Sequence, residues 1–268
     1  MLLEGKRALI TGASAGIGAE FARQLHAAGC DVTLAARRED RLLVFAEELN
    51  ALRPSSAKVV VCDLSSEDQA RGLPALEKFL LESQIDILVN NAGIGSFGYF
   101  EEIPWEHEEA IIRLNVIAFT RVARAAIPQM KQRRSGAIIN ISSIGGFQAI
   151  PYMATYSASK AYNFNHSLSI RYELKRFGVK VLTVCPGPVQ TEFFGVARVP
   201  GTATGRPRDS AEAVVRHSLR ALERDQAVVI PGWRGWLMSL PCRLLPRPLT
   251  NTLSERALRS TLKAVGKA

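Results

Sequence analysis

Short apolar runs rich in β-branched residues alternate with longer amphipathic stretches along most of the chain. The apolar runs predict strands near residues 7–10, 31–35, 58–61, 86–89, 137–142, 179–184 and 227–230. The stretches between them predict helices near residues 17–28, 38–50, 67–81, 106–132, 156–177 and 210–223. Because the strand runs are continuously apolar, both faces of each strand should be covered, as in a parallel sheet.

This alternation predicts an α/β fold, a Rossmann-like doubly wound sheet of seven parallel strands flanked by helices. The pattern spans residues 1–232, which we interpret as one domain. Residues 195–208 are rich in Gly, Pro, Thr and Arg and predict a functional loop. After Gly232 the alternation stops, so residues 233–268 are predicted to form a basic, apolar C-terminal extension.

The composition is that of a soluble globular protein, since 47% of the 268 residues are hydrophobic and 22% are charged. Four cysteines lie far apart without a CxxC pair, which favours reduced thiols and a cytoplasmic location. The first residues run straight into a strand and lack the pattern of a signal peptide. The four histidines show no ligand spacing, so no metal is expected.

Positive charge is concentrated near the C-terminus. The chain has a net charge of +9, and residues 231–268 hold seven Lys or Arg against one acid, which gives +6. No zinc-finger, helix-turn-helix or RNA-binding signature accompanies this charge. Nucleic acid is therefore not expected as a partner.

A glycine-rich turn, TGASAGIG at residues 11–18, stands between the first predicted strand and the first predicted helix. Glycines let such a turn close tightly and let backbone N–H groups approach a pyrophosphate. This position favours a dinucleotide site over an ordinary strand–helix turn. The candidate cofactor residues in the turn are Gly12, Ser14, Gly16, Ile17 and Gly18.

The TGxxxGxG spacing resembles that of the short-chain dehydrogenase/reductase family, in its single-domain branch. The resemblance extends over about residues 5–232. Asp63 and Leu64 follow the third predicted strand, where the family has an adenine-contacting Asp.

Two further motifs carry the resemblance. The sequence NNAG resembles the family motif that braces the sheet and lines the cofactor cleft, although a turn-forming cluster is the alternative. The sequence PGPVQT resembles the family's PG motif, in which Val189 and Thr191 approach the nicotinamide carboxamide. The resemblance thus adds as cofactor candidates Asn90, Ala92, Gly93, Pro186, Gly187, Val189 and Thr191.

The end of the second predicted strand indicates which dinucleotide binds. Folds that bind NAD place an acid there for the ribose 2′-OH, whereas this chain has Arg37 and Arg38. A guanidinium can hold a 2′-phosphate by charge-assisted hydrogen bonds. We therefore predict NADP(H), with Arg37 on the 2′-phosphate and Ser14 as a second donor. The alternative for both arginines, above all Arg38, is a solvated charge at a helix start.

By the family resemblance, Tyr156 and Lys160 are the predicted chemical pair and also cofactor contacts, and in a helix they would lie one turn apart on the same face. A phenol has a pKa of about 10, and a neighbouring ammonium favours its ionised form. Lys160 should therefore make Tyr156 a usable general acid–base. Ser143, at the end of the fifth predicted strand, would donate a hydrogen bond to the substrate oxygen. By the family resemblance, Asn115 would hold a water that links Lys160 to solvent.

These features predict an enzyme that transfers a hydride between NADP(H) and a carbonyl/alcohol pair, with reduction the favoured direction. We predict a bulky apolar substrate such as a ketoacyl or steroid compound. This prediction is based on large side chains in segments that the family uses around its substrate cleft, namely Phe97, Phe100, Phe147, Tyr152, Met153, Phe193 and Phe194. Packing in the core is the alternative explanation for these residues. The resemblance implies a homodimer or homotetramer through helices 106–132 and 156–177. The alternatives are a catalytically silent NADP(H) sensor and a membrane-associated binding protein on the same fold.

Residues 233–249 interleave tryptophans and leucines with arginines. The stretch is too interrupted for the ~20 apolar residues of a membrane span. It suits an interfacial anchor on anionic lipid, which predicts peripheral membrane contact. The alternative is that it folds back over the substrate cleft or a subunit interface and buries its tryptophans, since Pro241 and Pro246 prevent one continuous helix.

Overall fold

A computed structural model of the chain describes residues 3–197 and 209–263. Most of the predicted loop 195–208 lies outside the described residues, as does the end of the predicted extension. Within the described part, the regular alternation of strands and helices follows the sequence pattern up to residue 232 and then continues into two further helices.

Seven parallel strands form one sheet in the order β3-β2-β1-β4-β5-β6-β7. They are β1 Arg7–Thr11, β2 Asp31–Ala36, β3 Ala57–Val61, β4 Ile87–Asn90, β5 Gly136–Ile141, β6 Val179–Val184 and β7 Val228–Val229. The strand order reverses between β1 and β4, and at such a switch point a crevice opens beyond the carboxyl ends of the strands. The predicted doubly wound α/β fold is confirmed.

The helices are α1 Gly16–Ala27, α2 Glu39–Leu52, α3 Leu73–Glu82, α4 Trp105–Ile112, α5 Phe119–Arg133, α6 Ala154–Lys175, α7 Phe193–Val196, α8 Ala211–Glu223, α9 Trp233–Leu244 and α10 Arg247–Lys263. Helix α3 begins six residues later than predicted. The Asp68 carboxylate accepts hydrogen bonds from the N–H groups of Ala70 and Arg71, at 3.0 and 2.7 Å. This local turn competes with helix and delays its start.

The predicted helix 106–132 is interrupted. Helices α4 and α5 are joined by a π-helical segment, Arg113–Ala118, in which each turn holds an extra residue. Such widened turns occur mostly at functional sites. Asn115 lies in this segment and is completely buried.

Successive strand residues point to opposite faces of the sheet, so two cores form. Ile10 and Ile139 belong to the core under α1, α2 and α8, whereas Leu9 and Ile138 belong to the core under α3, α5 and α6. Both faces are thereby covered, as the continuously apolar strand runs predicted.

The C-terminal extension consists of α9 and α10, separated near Pro246. Its inner side reaches the cleft, where Met238 and Leu258 contribute to the wall. Its tryptophans stay outside, since Trp233 is 69% exposed and Trp236 is 51% exposed. The segment therefore folds back over the cleft without burying its tryptophans. No helix in the described ranges is long and apolar enough to cross a membrane.

Candidate active site

The glycine turn between β1 and α1 is held in a conformation that favours glycine. Gly12 and Gly16 have φ values of +67° and +57°, in the left-handed region. No side chain among the described residues caps the start of α1, so its first N–H groups are available to an anion. Gly12, Ser14, Gly16 and Ile17 line the cavity at this end.

Gly18 has a different role from the predicted one. A Cβ at this position would overlap the carbonyl oxygen of Gly12, and the side-chain amide of Asn91 is also adjacent. Gly18 therefore lets α1 pack closely against the turn, and it does not line the cavity. The structure thus gives Gly18 a packing role, and its predicted cofactor contact stays a prediction.

The NNAG sequence braces the turn against β4. The Asn91 side chain donates to the Thr11 carbonyl at 2.9 Å, and the N–H groups of Asn91 and Ala92 donate to the Thr11 hydroxyl at 2.9 and 3.0 Å. Asn90 points the other way, because its amide donates to the Phe119 carbonyl on α5 at 2.8 Å. Ala92, Gly93 and Asn91 line the cavity, and Asn90 does not. The Asn90 amide thus braces α5, and the predicted cofactor contact of this residue stays a prediction.

Both arginines after β2 line the cavity, but they are placed differently. The Arg38 guanidinium donates to the Ser14 hydroxyl from Nε at 3.1 Å and from Nη2 at 2.9 Å. Arg37 is 65% exposed and lies 3.9 Å from the Asp63 carboxylate. Arg38 is thus the arginine fixed on the glycine turn, which the sequence pattern alone does not distinguish.

Glu192, which was not predicted, crosses from the segment after β6 to α2. Its carboxylate accepts hydrogen bonds from Arg38 at 2.8 Å and from Arg41 at 2.7 Å. The bonds to Arg38 and then Arg41 hold the pKa of Glu192 below its usual value. The neighbouring Thr191 packs on the glycine turn, where a Cβ at Gly16 would lie 3.0 Å from its methyl group. The segment after β6 therefore closes over this end of the cavity.

Ser143, Tyr156 and Lys160 meet at the cavity wall below the glycine turn. Ser143 follows β5, and its hydroxyl accepts the Gly145 N–H at 3.0 Å. Tyr156 and Lys160 are both buried on α6, one turn apart. The Ser143 hydroxyl acts on the pKa of the Tyr156 phenol, and the Lys160 ammonium donates to the Ile141 carbonyl at 3.0 Å.

The acid–base properties of this pair differ from the expectation. Burial raises the pKa of Tyr156 to about 12, and the bond with Ser143 opposes this shift. Desolvation lowers the pKa of Lys160 to about 8. Burial is thus the larger influence on the pKa of Tyr156, and Lys160 remains mainly protonated at neutral pH. At neutral pH the phenol is protonated and is ready to act as an acid.

Asn115 fixes the loop beside the lysine. Its amide exchanges two hydrogen bonds with the backbone of Ile94, at 3.0 and 2.9 Å, and donates to the Ser159 hydroxyl at 3.0 Å. A Cβ at Gly93 would lie 3.1 Å from the Asn115 side-chain oxygen and 3.4 Å from the Lys160 nitrogen. Glycine at position 93 leaves room for both groups. Asn115 itself is buried behind the cavity wall.

The remaining predicted cofactor residues, Asp63, Leu64, Pro186, Gly187, Val189 and Thr191, line the same cavity. Its volume is about 820 Å³. A continuous cavity thus connects the glycine turn and Arg38 at one end with Ser143 and Tyr156 further in. Its extended shape and lining fit a dinucleotide with a smaller apolar molecule beside it.

The far end of the cavity is mainly apolar. Four of the seven predicted substrate residues line it, namely Phe97, Met153, Phe193 and Phe194. Among the other three, Phe100 is exposed, Phe147 packs on the Phe164 ring at 5.1 Å, and Tyr152 bonds Glu255. The extension adds wall residues that no sequence signal indicated, namely Met238, Cys242, Ser254, Ala257 and Leu258.

The buried thiols are poor nucleophiles. Burial raises the pKa of Cys30 to about 11 and that of Cys62 to about 12, so both stay protonated at neutral pH. Over residues 3–197 and 209–263, no group of three or more His, Cys, Asp or Glu is placed to hold a metal ion.

Comparison with known proteins was made in sequence and in structure. A family model described as short chain dehydrogenase matches residues 6–199. The chain is 35% identical to a 3-oxoacyl-(acyl-carrier-protein) reductase of Rickettsia conorii over 240 residues, which cover 86% of this chain and 94% of the relative.

Two solved structures share the fold with a TM-score of 0.80. One is a short-chain dehydrogenase from Sphingobium yanoikuyae in complex with NADPH, 33% identical, covering 88% of this chain and 96% of its own. The other is a 7β-hydroxysteroid dehydrogenase, 27% identical, covering 91% of this chain and 95% of its own. The matched regions include the glycine turn and the Ser143, Tyr156 and Lys160 positions, which lie within residues 6–199.

Proposed function

Because this chain belongs to the short-chain dehydrogenase/reductase family, we propose that it transfers a hydride between NADP(H) and the carbonyl/alcohol pair of a bulky apolar substrate. Within the family it is an NADP-dependent oxidoreductase, as relatives named as reductases and neighbours bound to NADPH indicate. The observation that carries the proposal is the meeting of Ser143, Tyr156 and Lys160 in a cavity that begins at the glycine turn.

The residues present fit an NADP(H) cofactor. Gly12 and Gly16 adopt the left-handed conformation, and because glycine has no side chain the turn stays open. The start of α1 presents uncapped N–H groups toward a pyrophosphate. Arg38 and Ser14 would hold the 2′-phosphate, with Arg37 at the outer edge. Val189 and Thr191 would lie beside the nicotinamide, as the family motif implies.

The chain's own residues would handle the proton. The Ser143 hydroxyl and the Tyr156 phenol would both hydrogen-bond the substrate oxygen, which gains negative charge during reduction. Since the pKa of Tyr156 is raised to about 12, the phenol is protonated and can donate its proton to that oxygen. The protonation state therefore suits the reductive direction.

Lys160 and Asn115 would support this proton donation. Lys160 lies one helical turn after Tyr156, with its nitrogen 5.9 Å from the centre of the phenol ring. A charged ammonium there stabilises the phenolate left after proton transfer. Asn115 anchors the loop of Ile94 against α6 through Ser159, which keeps the lysine region in place.

The substrate class is inferred from the far end of the cavity. Phe97, Met153 and Phe193 combine there with Met238 and Leu258 from the extension. Relatives that are named for 3-oxoacyl and hydroxysteroid compounds act on bulky, largely apolar molecules. We therefore propose a ketoacyl, steroid or similar carbonyl compound as substrate.

The alternative of a catalytically silent NADP(H) sensor is not favoured. A sensor would need the turn and the arginines but not a buried Tyr156 with Ser143 bonded to it. All three reaction residues are present and lie together, which argues for turnover.

The proposed partners are a small carbonyl substrate and a second copy of the chain. Exposed apolar residues occur along α4 to α6, including Ile112, Ile117 and Tyr162. Between them lies a shallow groove lined by Val116 and Ala158. These helices are the pair through which family members associate, so a homodimer or homotetramer is proposed in a cytoplasmic setting, with peripheral membrane contact through residues 233–249.

The test is a cofactor-oxidation assay on the full-length protein. Purified protein would be mixed with NADPH or NADH and a panel of 3-oxoacyl thioesters, steroid ketones and small ketones. Loss of NADPH absorbance with at least one bulky ketone, and a clear preference for NADPH over NADH, is the expected result. Tight NADPH binding without oxidation by any carbonyl compound would favour the sensor instead.

A further inference from the structure

Helix α9 is apolar on two sides, although it lies at the surface. Its inner side faces the domain, where Gly235 contacts Gly187, Ser239 is fully buried, and Met238 lines the cavity. Its outer side carries Trp233, Trp236, Leu237 and Leu244, at the i, i+3, i+4 and i+11 spacing of one helical face. A surface helix of a globular protein normally shows a polar face to water. Here the exposed face carries mainly large apolar side chains, namely Trp233, Trp236 and Leu237.

The apolar surface continues through the turn into α10. Leu244 is 74% exposed, and Leu245 and Leu249 are also exposed. We call Trp233, Trp236, Leu237, Leu244, Leu245 and Leu249 the outer cap face. A contiguous exposed patch of large apolar side chains usually marks a binding surface.

The charged residues within the segment 233–254, which carries the outer cap face, are all positive. Arg234 lies over the Trp233 ring at 5.2 Å. Arg247 is exposed and lies between Leu245 and Leu249 in the sequence. Residues 233–254 contain no acid. The first acid, Glu255, is turned inward and accepts a hydrogen bond from Tyr152 at 2.7 Å. The outer cap face therefore combines tryptophans and leucines with cations, and the carboxylate of Asp209 lies at its edge, against Gly232 at the start of α9.

We propose that the outer cap face docks on an anionic lipid bilayer, with its tryptophans and leucines in the interfacial layer and its arginines on the headgroups. Tryptophan prefers the membrane interface, and arginines near an anionic surface add attraction. A second copy of this chain fits the surface less well, because a twofold contact would bring Arg234 and Arg247 against like charges, and the segment 233–254 supplies no acid to pair with them.

This surface and the substrate cavity share the same two helices. Met238 and Cys242 of α9 and Leu258 of α10 line the cavity from the inner side. Docking would therefore place the mouth of the cleft at the lipid surface, where an apolar carbonyl compound is concentrated. Delivery of substrate from the bilayer rests on the proposed function, whereas docking itself does not.

The docking test uses the full-length protein and sedimentation with vesicles of phosphatidylcholine alone or mixed with phosphatidylglycerol. We expect binding to the anionic vesicles that weakens at high salt. Trp236→Glu combined with Leu244→Glu should lower this binding at least tenfold. The matched control is Leu52→Glu with Leu81→Glu, which places the same charges on exposed leucines of α2 and α3. The control should bind as the native protein does.

Two further measurements separate the contribution of the arginines to vesicle binding from that of the tryptophans. Arg234→Gln and Arg247→Gln should each weaken binding to anionic vesicles about fivefold at low salt. With Trp105→Phe as background, the fluorescence of Trp233 and Trp236 should shift to the blue on anionic vesicles only. NADPH binding that is unchanged in every variant shows that the domain remains folded.

Several results would overturn the proposal. The proposal is wrong if the native protein does not bind anionic vesicles at low salt, or if the control variant loses as much binding as the Trp236 and Leu244 variant. It is also wrong if the native protein forms a dimer in the absence of vesicles and the Trp236 and Leu244 variant does not, because the outer cap face would then bind a second copy. A vesicle-borne ketone should be reduced more slowly by that variant, and a small water-soluble ketone at the native rate. Vesicle binding without reduction of any ketone would leave docking intact and refute the proposed function.

Discussion

Arg38, and not Arg37, donates two hydrogen bonds to the hydroxyl of Ser14, at 3.1 and 2.9 Å from its Nε and Nη2 atoms. The guanidinium is thereby fixed beside the glycine turn before any cofactor arrives. Arg37 is directed to the more open edge near Asp63. Preorganised donors bind an anion more strongly than mobile ones, because less side-chain entropy is lost.

We therefore predict that Arg38→Ala weakens NADPH binding more than Arg37→Ala does. A charge-assisted bond to the 2′-phosphate should contribute roughly 1.5–3 kcal/mol, or about 10- to 150-fold in affinity. NADH binding should change little in either variant, because NADH lacks the phosphate. Titration of both dinucleotides measures this. Equal losses of affinity for NADPH and NADH would show that neither arginine binds the 2′-phosphate. A larger effect of Arg37→Ala would support the prediction from sequence, in which Arg37 binds the 2′-phosphate.

Glu192 should oppose the same phosphate. Its carboxylate pairs with Arg38 and Arg41, so an incoming phosphate must share Arg38 with another anion. Glu192→Gln is predicted to strengthen NADPH binding about two- to fivefold, the scale of an exposed ion pair, and to leave NADH unchanged. Glu212→Gln, at an exposed ion pair with Arg216, is the control and should have no effect. Weaker NADPH binding in Glu192→Gln would mean instead that the Glu192 ion pairs hold the segment after β6 closed over the cofactor.

Tyr156→Phe should abolish turnover and spare cofactor binding. The phenyl ring keeps the packing on Phe193, whose ring centre lies 5.3 Å away, but cannot donate a proton. A loss of at least about a hundredfold in turnover, or about 2.7 kcal/mol of transition-state stabilisation, is expected. Steady-state rates and NADPH titration measure the two effects. Most of the activity surviving in this variant would remove Tyr156 from the reaction.

Lys160 should make stability depend on pH in a defined direction. Desolvation lowers its pKa from 10.5 to about 8 in the folded state, so the unfolded chain binds more protons between these values. The free energy of unfolding contributed by this group therefore rises from about pH 8 to pH 10.5, and below about pH 8 the buried charge costs about 3 kcal/mol.

Lys160→Met removes that cost but also loses the hydrogen bond to Ile141. We predict that the variant is inactive and about 1–2 kcal/mol more stable at pH 7. Its advantage should shrink as the pH rises toward about 9.5, below the range in which Tyr156 titrates. Denaturant unfolding at several pH values measures this. A constant difference across the range would mean that Lys160 is not buried as an ammonium.

Tyr152 joins the segment before α6 to α10 through its bond with Glu255. Tyr152→Phe should loosen the extension over the cleft, so the KM for a bulky ketone should rise severalfold while the KM for NADPH stays constant. Thr252→Val removes a hydroxyl bond within α10, to the Pro248 carbonyl, without touching the domain, and serves as the control. An equal change in both variants would indicate a general loss of stability.

The sequence predicted the fold and much of the site because both depend on local patterns. Continuously apolar runs identify buried parallel strands, and chain order then fixes which strand ends carry the glycine turn, Ser143 and the segment of Val189 and Thr191. Tyr156 and Lys160 share a face because the helical repeat puts positions four apart together. Such features need no knowledge of distant contacts.

Other features depend on contacts between distant parts of the chain. Asn90 and Gly18 match the family motifs. In the structure, however, the Asn90 amide bonds the Phe119 carbonyl and Gly18 packs against Gly12, so both residues lie away from the cavity. Burial, which only the folded chain creates, raises the pKa of Tyr156 above that of a free phenol.

The sequence by itself determined the doubly wound sheet, the dinucleotide turn and the helical Tyr156 and Lys160 pair, since each follows from residue order and periodicity. Only the tertiary structure decided that Arg38 rather than Arg37 is held on Ser14, because the two arginines are neighbours and differ only in which side of the strand end they reach. It also decided that α9 packs Ser239 against the domain and leaves Trp236 exposed, with Met238 at the edge of the cleft. A helix that is apolar on both sides can be oriented only by the surface on which it packs.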